Sequence, residues 1–389
     1  MACRRGPASI LILFSDTGGG HRAAARALDG ALRSILPDVE ITWCDPLIGQ
    51  GRAIARRISS LYPAIIQRSR PTWGAIFHAS NTAPSFAAVR AALRTQLRGL
   101  LEESLRVADP DVVLSVHPLL NHVTAGVIPH AGRSRALMTV VTDLIAVHRG
   151  WTCRSADLVV VATEQAFRAV RRRVSPDRVR LLGLPVDLRF RPPRPGEQAA
   201  ERRRLGLDAD RPTVLISGGG EGSGSLFDQV LALSASPRPW QVIAVCGRNE
   251  RLRSRLLRIH LSTPTLLLGF VDDMPELLRA SDLAVGKAGP GMIVEALVTG
   301  IPLVLTSYLP GQEGGNVRFT VDEGVGRYAP SPRRLVAAVE ELLGGDGALY
   351  CRAMAARAAE MARPHAALDI ASACLELAAR YRANSQASR

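Results

Sequence analysis

Two series of short apolar runs alternate with helical patterns, and this alternation restricts the fold more than any other feature of the chain. In the first series, the runs typical of strands are residues 9–14, 40–43, 112–116, 138–142 and 158–162. Directly after the first run, apolar residues recur at helical spacing, at positions 24, 27, 28, 31, 32 and 35. Strands that alternate with helices build a mostly parallel sheet, so the first series predicts an α/β domain.

The second series predicts another domain of the same kind. Its candidate strands are residues 213–217, 241–246, 265–268, 283–285 and 302–305. The predicted fold class is therefore α/β, with two Rossmann-like domains whose parallel sheets face a cleft. Ligands of such sheets bind at the carboxyl ends of the strands, so the cleft is the expected site.

The segment 185–211 is rich in proline and arginine and has no apolar periodicity, which indicates a linker with a short helix. The expected domains are residues 1–190 and 212–350, joined by a linker at 191–211 and followed by helices at 351–389 that could pack back on the first domain.

The charge balance favours an anionic partner. The chain has 49 basic and 35 acidic residues, for a net charge of +14. Nucleic acid, an anionic membrane and a phosphorylated substrate all fit this charge. Only 4% of the residues are aromatic, and no RNA-binding or zinc-ribbon motif is present, which disfavours nucleic acid.

The expected location is the cytoplasm, peripheral on the inner face of the membrane. Six scattered cysteines fit a reducing compartment. No apolar run approaches the roughly 20 residues of a membrane span, and we see no signal-peptide pattern.

Only one lysine, Lys287, stands among the 49 basic residues, and the others are arginines. It lies in the glycine-rich sequence Gly286–Gly291, where a backbone turn leading into a helix suits an anion such as a phosphate. A compact ammonium kept at this one place indicates an electrostatic function. We therefore expect Lys287→Ala to lower turnover far more than stability.

In the first domain, candidate catalytic residues follow the strands. The turn Gly18, Gly19, Gly20 leads into His21 at a helix start, and His117 and Asp143 follow two other strands. His21 suits a general base, and Asp143 could orient a base or be one. No carboxylate is spaced for a metal site with His117 and His122, so no metal is expected.

In the second domain, Gly219 and Gly220 belong to another glycine-rich turn after a strand, but no Lys-Ser or Lys-Thr follows as in a P-loop. Adjacent amide and carboxylate groups at Gln312 and Glu313 suit a ligand rich in hydroxyls, and Glu295 suits a ribose diol.

Two basic amphipathic segments could dock on anionic lipid. In residues 52–68 apolar positions alternate with arginines, and Trp73 and Phe77 follow. In residues 86–106, Arg90, Arg94 and Arg98 form a basic stripe opposite apolar positions. A core helix with a solvated basic face explains the second segment equally well.

Over nearly its whole length the sequence resembles the monogalactosyldiacylglycerol synthases and the bacterial diacylglycerol glucosyltransferases. The motifs that carry the resemblance are SDTGGGHRAAA (15–25), DVVLSVHPLLNH (111–122), VVTDL with HRGW (140–151), SGGGEGSG (217–224), CGRN (246–249), GFVDDMPELLRASDLAVGKAGPGMIVEAL (269–297) and GIPLVLTSYLPGQEGGNV (300–317).

The resemblance implies an inverting GT-B enzyme that moves galactose or glucose from a UDP-hexose to diacylglycerol at a membrane, with no cofactor and no metal. It assigns residues 1–190 to the acceptor and membrane side and residues 212–350 to the UDP-sugar donor. It places the Gly18–Gly20 turn and His21 at the reacting centre, with Asp143 as the second candidate base. The expected donor site comprises Gly219, Gly220, Phe270, Val271, Lys287, Gly289, Gly291, Glu295, Gln312, Glu313 and Asn316, and His117 joins the acceptor side. Met292 departs from the family pattern, where a small polar residue is common.

Three alternatives stay open. The enzyme could transfer N-acetylglucosamine from its UDP form to a polyprenyl-linked lipid, or the chain could be a non-catalytic membrane-associated GT-B protein. A nicotinamide-dependent dehydrogenase comes third, because Ala23 stands where G-x-G-x-x-G requires glycine.

Overall fold

The computed structural model describes residues 8–16, 19–48, 69–128, 135–220, 222, 225–345 and 347–387. The chain divides into two compact units. Unit 1 comprises Met1–Leu188, Pro310–Gln312 and His365–Arg389, and unit 2 comprises Arg189–Leu309 and Glu313–Pro364.

Each unit contains one six-stranded parallel sheet. The strands of unit 1 are β1 (Ser9–Leu13), β2 (Glu40–Cys44), β3 (Val112–Ser115), β4 (Ala136–Val140), β5 (Leu158–Val161) and β6 (Val179–Leu181), in the order β2-β1-β3-β4-β5-β6. Those of unit 2 are β7 (Thr213–Ser217), β8 (Gln241–Val245), β9 (Thr265–Leu268), β10 (Leu283–Lys287), β11 (Leu303–Ser307) and β12 (Gly326–Tyr328), in the order β12-β11-β10-β7-β8-β9.

Helices connect these strands. They are α1 (Gly20–Ile35), α2 (Arg70–Ser80), α3 (Ala83–Ala108), α4 (Asn121–Val127), α5 (Glu164–Val170), α6 (Glu197–Arg204), α7 (Leu226–Ser234), α8 (Glu250–Leu257), α9 (Met274–Ala280), α10 (Pro290–Thr299), α11 (Gly314–Asp322), α12 (Pro332–Leu343), α13 (Gly347–Met361) and α14 (Ala366–Ala387).

The ten strand regions expected from the sequence are all present, and the sequence missed the edge strands β6 and β12. Each of these has three residues, too few for an apolar run. Two boundaries matter for the site. Strand β4 ends at Val140, so Thr142 and Asp143 lie beyond it, and β10 extends through Lys287.

The core of unit 1 lies on both faces of its sheet, because successive residues of a strand point to opposite sides. Ile10 and Ile12 pack on one side with α1 and α14, whereas Leu11 and Leu13 pack on the other with α3. Two polar contacts fix the end of α14. Tyr381 donates to Asp157 at 2.5 Å, and Arg382 donates to Asp111 at 2.8 Å.

Unit 2 has a comparable core, in which strands β7, β8 and β10 pack with α7 and α12. The short helix expected near the linker is α6, and its buried Arg202 ties it to the sheet. The Arg202 guanidinium donates to the Ala280 carbonyl at 2.8 Å and to Asp282 at 2.6 Å.

The basic stripe expected within residues 86–106 forms one face of α3. Arg90, Arg94 and Arg98 are exposed, while Phe86, Leu93, Leu97, Leu101 and Leu105 are buried. The segment 52–68 lies outside the described residues. Among the helices that the structure describes, none is both long and apolar enough to pass through a membrane.

Candidate active site

His21 lies in the first turn of α1, at the carboxyl edge of the sheet of unit 1. The helix is preceded by Gly19, whose φ of 86° is in the left-handed region that favours glycine. Gly20 is the first helical residue, and the space beside both glycines is open, with no atom within 4 Å of an added Cβ. A ligand can therefore approach the backbone here. Gly18 lies outside the described residues.

The side chain of His21 is held by residues from two other strand ends. Its Nδ1 atom lies 3.1 Å from Oγ1 of Thr142, and its ring lies edge-on to that of His117 with centroids 4.6 Å apart. The indole of Trp151, with its centroid 6.0 Å away, closes another side. The structure thus brings His21 and His117 together, as the sequence-based site requires.

Burial lowers the pKa of His21 to about 4, and a hydrogen bond with the backbone of Val116 partly opposes this shift. The pKa of His117 is lowered well below its usual value by burial and by the adjacent His21. Both rings are therefore neutral at pH 7, and a neutral imidazole has a nitrogen that can accept a proton.

Asp143 is buried near His21 but is engaged with other groups. Its Oδ2 accepts a hydrogen bond of 2.7 Å from Nε1 of Trp151, and its Oδ1 accepts one of 3.2 Å from Nε2 of Gln312. Gln312 belongs to unit 1, and its own Oε1 is buried without a hydrogen-bond partner in the structure. The sequence missed Thr142 and Trp151 as site residues, although both stand in the motifs at 140–151.

In unit 2, Lys287 is the last residue of β10, and its ammonium is paired with Glu313. Nζ lies 2.5 Å from Oε1 of Glu313, whose Oε2 accepts a hydrogen bond of 2.8 Å from the backbone N–H of Leu309. The carboxylate is 3% exposed and the lysine side chain 34%. Glu313 therefore fixes the position of Lys287. Each carboxylate oxygen can accept a second hydrogen bond, so the expected contact of Glu313 with a sugar hydroxyl stays a prediction.

The turn after Lys287 leads into α10, with Gly289 at the N-cap and Gly291 in the first turn. A Cβ on Gly289 would lie 3.7 Å from Nζ of Lys287, so the ammonium rests against this turn. One turn farther, Oε1 of Glu295 lies beside Gly291. Backbone N–H groups at a helix start and a nearby cation together favour an anion.

The remaining predicted donor residues follow neighbouring strands of the same sheet. Gly219 and Gly220 follow β7, Phe270 and Val271 follow β9, and Phe270 is 48% exposed. Asn316 is buried in α11 and donates to the Ala288 carbonyl at 2.9 Å. Within the described residues, no group of three or more His, Cys, Asp or Glu side chains is arranged to hold a metal ion.

The fold resembles that of solved glycosyltransferases. MurG of Acinetobacter baumannii superposes with a TM-score of 0.62 at 17% identity, covering 95% of this chain and all 100% of that one. The spinosyn rhamnosyltransferase SpnG, solved with thymidine diphosphate, gives a TM-score of 0.59 at 15% identity, covering 94% and 99% of the two chains. At such identities the likeness concerns the fold alone. Two parallel sheets of this kind define a GT-B architecture, as the sequence predicted.

Sequence comparison identifies the family. Residues 21–186 match the family model of monogalactosyldiacylglycerol (MGDG) synthase, and residues 213–368 match the glycosyltransferase family 28 C-terminal domain. A probable MGDG synthase of Glycine max is 33% identical over 384 residues, which cover 94% of this chain and 70% of that protein. MGDG synthase 1 of Arabidopsis thaliana is 32% identical over 380 residues, with 94% and 70% covered.

The chain belongs to the monogalactosyldiacylglycerol synthase family, and it is a glycosyltransferase. The family resemblance inferred from the motifs is confirmed.

Proposed function

We propose that this protein is an inverting, metal-independent glycosyltransferase that moves galactose or glucose from a UDP-sugar to diacylglycerol at a membrane surface. The observation that carries the donor half of the proposal is the Lys287–Glu313 pair, which holds one ammonium against the Gly289 turn at the edge of the second sheet. The names of the relatives, synthases of monogalactosyldiacylglycerol, support diacylglycerol as the acceptor.

In the proposed reaction, the acceptor oxygen forms a bond to the anomeric carbon while the bond from that carbon to the diphosphate oxygen breaks. The acceptor hydroxyl loses its proton to His21, whose ring is neutral because burial lowers its pKa. Asp143 is the second candidate base. We favour His21, because its side chain is only half-buried beside the open Gly19–Gly20 turn, whereas Asp143 is buried.

The leaving diphosphate gains negative charge as the bond breaks. Lys287 and the backbone N–H groups at the start of α10 would stabilise this charge, as cations and helix N-termini do for developing charge in other enzymes. Each preorganised donor of this kind typically contributes a few kcal/mol to transition-state stabilisation. Glu295, one turn into α10, would bind the ribose diol.

We also propose a peripheral location on the cytoplasmic face of the membrane. The exposed arginines of α3 support it, because a basic helix face is attracted to anionic lipid.

The proposal is tested by incubating the purified protein with diacylglycerol vesicles and UDP-galactose or UDP-glucose, with and without EDTA, and identifying the lipid product by chromatography. We expect a monohexosyl diacylglycerol in both EDTA conditions. A product only from UDP-N-acetylglucosamine and a polyprenyl-linked lipid would support the first alternative. If neither a lipid product nor released UDP is detected with any of these acceptors, the chain is a non-catalytic GT-B protein.

A further inference from the structure

Four neighbouring strands of unit 2 end side by side, in the order β10, β7, β8 and β9. Lys287 ends β10, the Gly218–Gly220 turn follows β7, and Phe270 lies just beyond β9. Between the last two, after β8, stands Arg248. This arginine has no role in the donor site as described so far.

Arg248 is held next to the glycine turn by direct backbone contact. Its N–H donates to the carbonyl of Gly220 at 2.9 Å. The preceding Gly247 has a φ of 58°, and a Cβ there would lie 2.5 Å from the carbonyl oxygens of Gly219 and Gly220. Only glycine lets the two turns approach so closely. Asn249 adds a bond of 3.1 Å from its Nδ2 to the Gly222 carbonyl.

The guanidinium itself is oriented by an aromatic ring. Its central carbon lies 4.6 Å from the centroid of Phe270, the geometry of a cation–π contact. Both side chains are exposed, and Nη1 lies 3.9 Å from the position of a Cβ on Gly220. An exposed arginine usually samples many rotamers, but here the stack and the backbone bond direct its charge toward the Gly218–Gly220 turn.

We propose that Arg248 is a second cation for the diphosphate of the donor, opposite Lys287 across the Gly218–Gly220 turn. This inference rests on the proposed use of a UDP-sugar. Strands lie about 4.8 Å apart, so the ends of β10 and β8 are roughly 10 Å apart. Lysine and arginine side chains are long enough for both cations to reach one diphosphate bound between the two strand ends.

The surroundings of the two cations suit a guanidinium at position 248 and an ammonium at position 287. Arginine stacks on an aromatic ring through its planar face and still offers N–H donors at its edge to phosphate oxygens. The ammonium of Lys287 is a point charge that a single buried carboxylate can hold.

The test uses three proteins: the wild type, Arg248→Ala and Arg248→Lys. Calorimetry measures how tightly each binds UDP, and a thermal-shift assay measures how much an excess of uridine raises its Tm. We expect Arg248→Ala to weaken UDP binding by about 10- to 100-fold, the range for a lost charge-assisted hydrogen bond, and to leave the uridine response unchanged. Arg248→Lys should lose less of the UDP affinity than Arg248→Ala does. In turnover assays the KM for the donor should rise more than kcat falls.

Arg255→Ala is the matched control, because Arg255 of α8 makes a similar contact with Phe227 of α7, 3.6 Å from its centroid. It should leave UDP binding unchanged. Two results would show that the proposed role of Arg248 is wrong while a UDP-sugar remains the proposed donor. In the first, Arg248→Ala binds UDP as well as the wild type does. In the second, Arg248→Ala loses uridine binding and UDP binding to the same extent. If wild type itself does not bind UDP, the proposed function fails and this inference fails with it.

Discussion

Removing either partner of the Lys287–Glu313 pair should affect stability unequally. Lys287→Ala would leave a carboxylate that is 3% exposed and that, among the residues the structure describes, keeps the Leu309 N–H as its partner. Leaving a buried charge uncompensated costs about 3 kcal/mol or more. Glu313→Gln instead leaves an ammonium on a side chain that is 34% exposed and can turn toward water. That loss should be about 1 kcal/mol, as for a solvent-accessible ion pair.

The sequence-based expectation was that Lys287→Ala lowers turnover far more than stability, and the buried carboxylate of Glu313 adds a stability loss of about 3 kcal/mol to it. For a domain of this size, a loss of about 3 kcal/mol lowers Tm by roughly 6 to 12 °C. The double variant Lys287→Ala/Glu313→Gln has no charge of this pair left, so its stability should be close to that of Glu313→Gln alone, with a coupling energy of about 3 kcal/mol.

The assay is thermal and urea unfolding of the wild type, both single variants and the double variant. Additive losses, or equal losses in the two single variants, would refute the reasoning. The double variant also separates the two roles of the lysine. It should remain well folded yet lose about 100-fold or more in turnover if Lys287 stabilises the leaving group.

Three further predictions follow from unit 1. Burial lowers the pKa of His148 to about 4, so between pH 6.5 and 4 the unfolded chain binds a proton at this residue that the folded chain excludes. As the pH drops through this window, His148 should contribute up to roughly 3 kcal/mol of lost stability, in addition to the losses from His21 and His117. Urea unfolding should therefore show a smaller loss in His148→Gln than in the wild type. Arg90→Gln/Arg94→Gln should weaken sedimentation with anionic vesicles by roughly 30-fold, at about 1 kcal/mol for each cation. Thr142→Val should move the pH profile of kcat, and Thr142→Ser should restore it, because the hydroxyl lies 3.1 Å from Nδ1 of His21.

Each of these has a control or a contradicting result. If His148→Gln loses as much stability between pH 6.5 and 4 as the wild type does, protonation of His148 is excluded as a cause of that loss. Arg333→Gln/Arg334→Gln, on an exposed face of α12, should keep vesicle binding intact, and a loss of the same size there would mean that only net charge matters. An unchanged profile in Thr142→Val would remove Thr142 from the site.

Local sequence was sufficient for the strands and glycine turns, because a buried parallel strand is a short apolar run and its carboxyl end is marked by glycine. The predicted roles of His21 and Lys287 also came from their place at such ends. Local sequence could not identify their partners. Thr142 is 121 residues from His21 in sequence, and Glu313 is 26 residues from Lys287. Such pairs depend on strand order and loop paths, which no local pattern specifies.

The same limit applies to Glu313 and Arg248. The sequence predicted that the Glu313 carboxylate contacts a sugar, because it stands next to the Gln312 amide. Only the fold shows that this carboxylate is buried and paired with Lys287. Arg248 is one arginine among many, and its contact with Phe270 joins two loops that follow different strands.

The central claim is that the donor's diphosphate binds at the Lys287 end of the second sheet. A crystal structure of the protein with UDP tests it most directly. We predict phosphate oxygens within about 3 Å of Nζ of Lys287 and of the backbone at the start of α10. UDP bound elsewhere, with Lys287 still paired to Glu313 and touching no phosphate, would contradict the account.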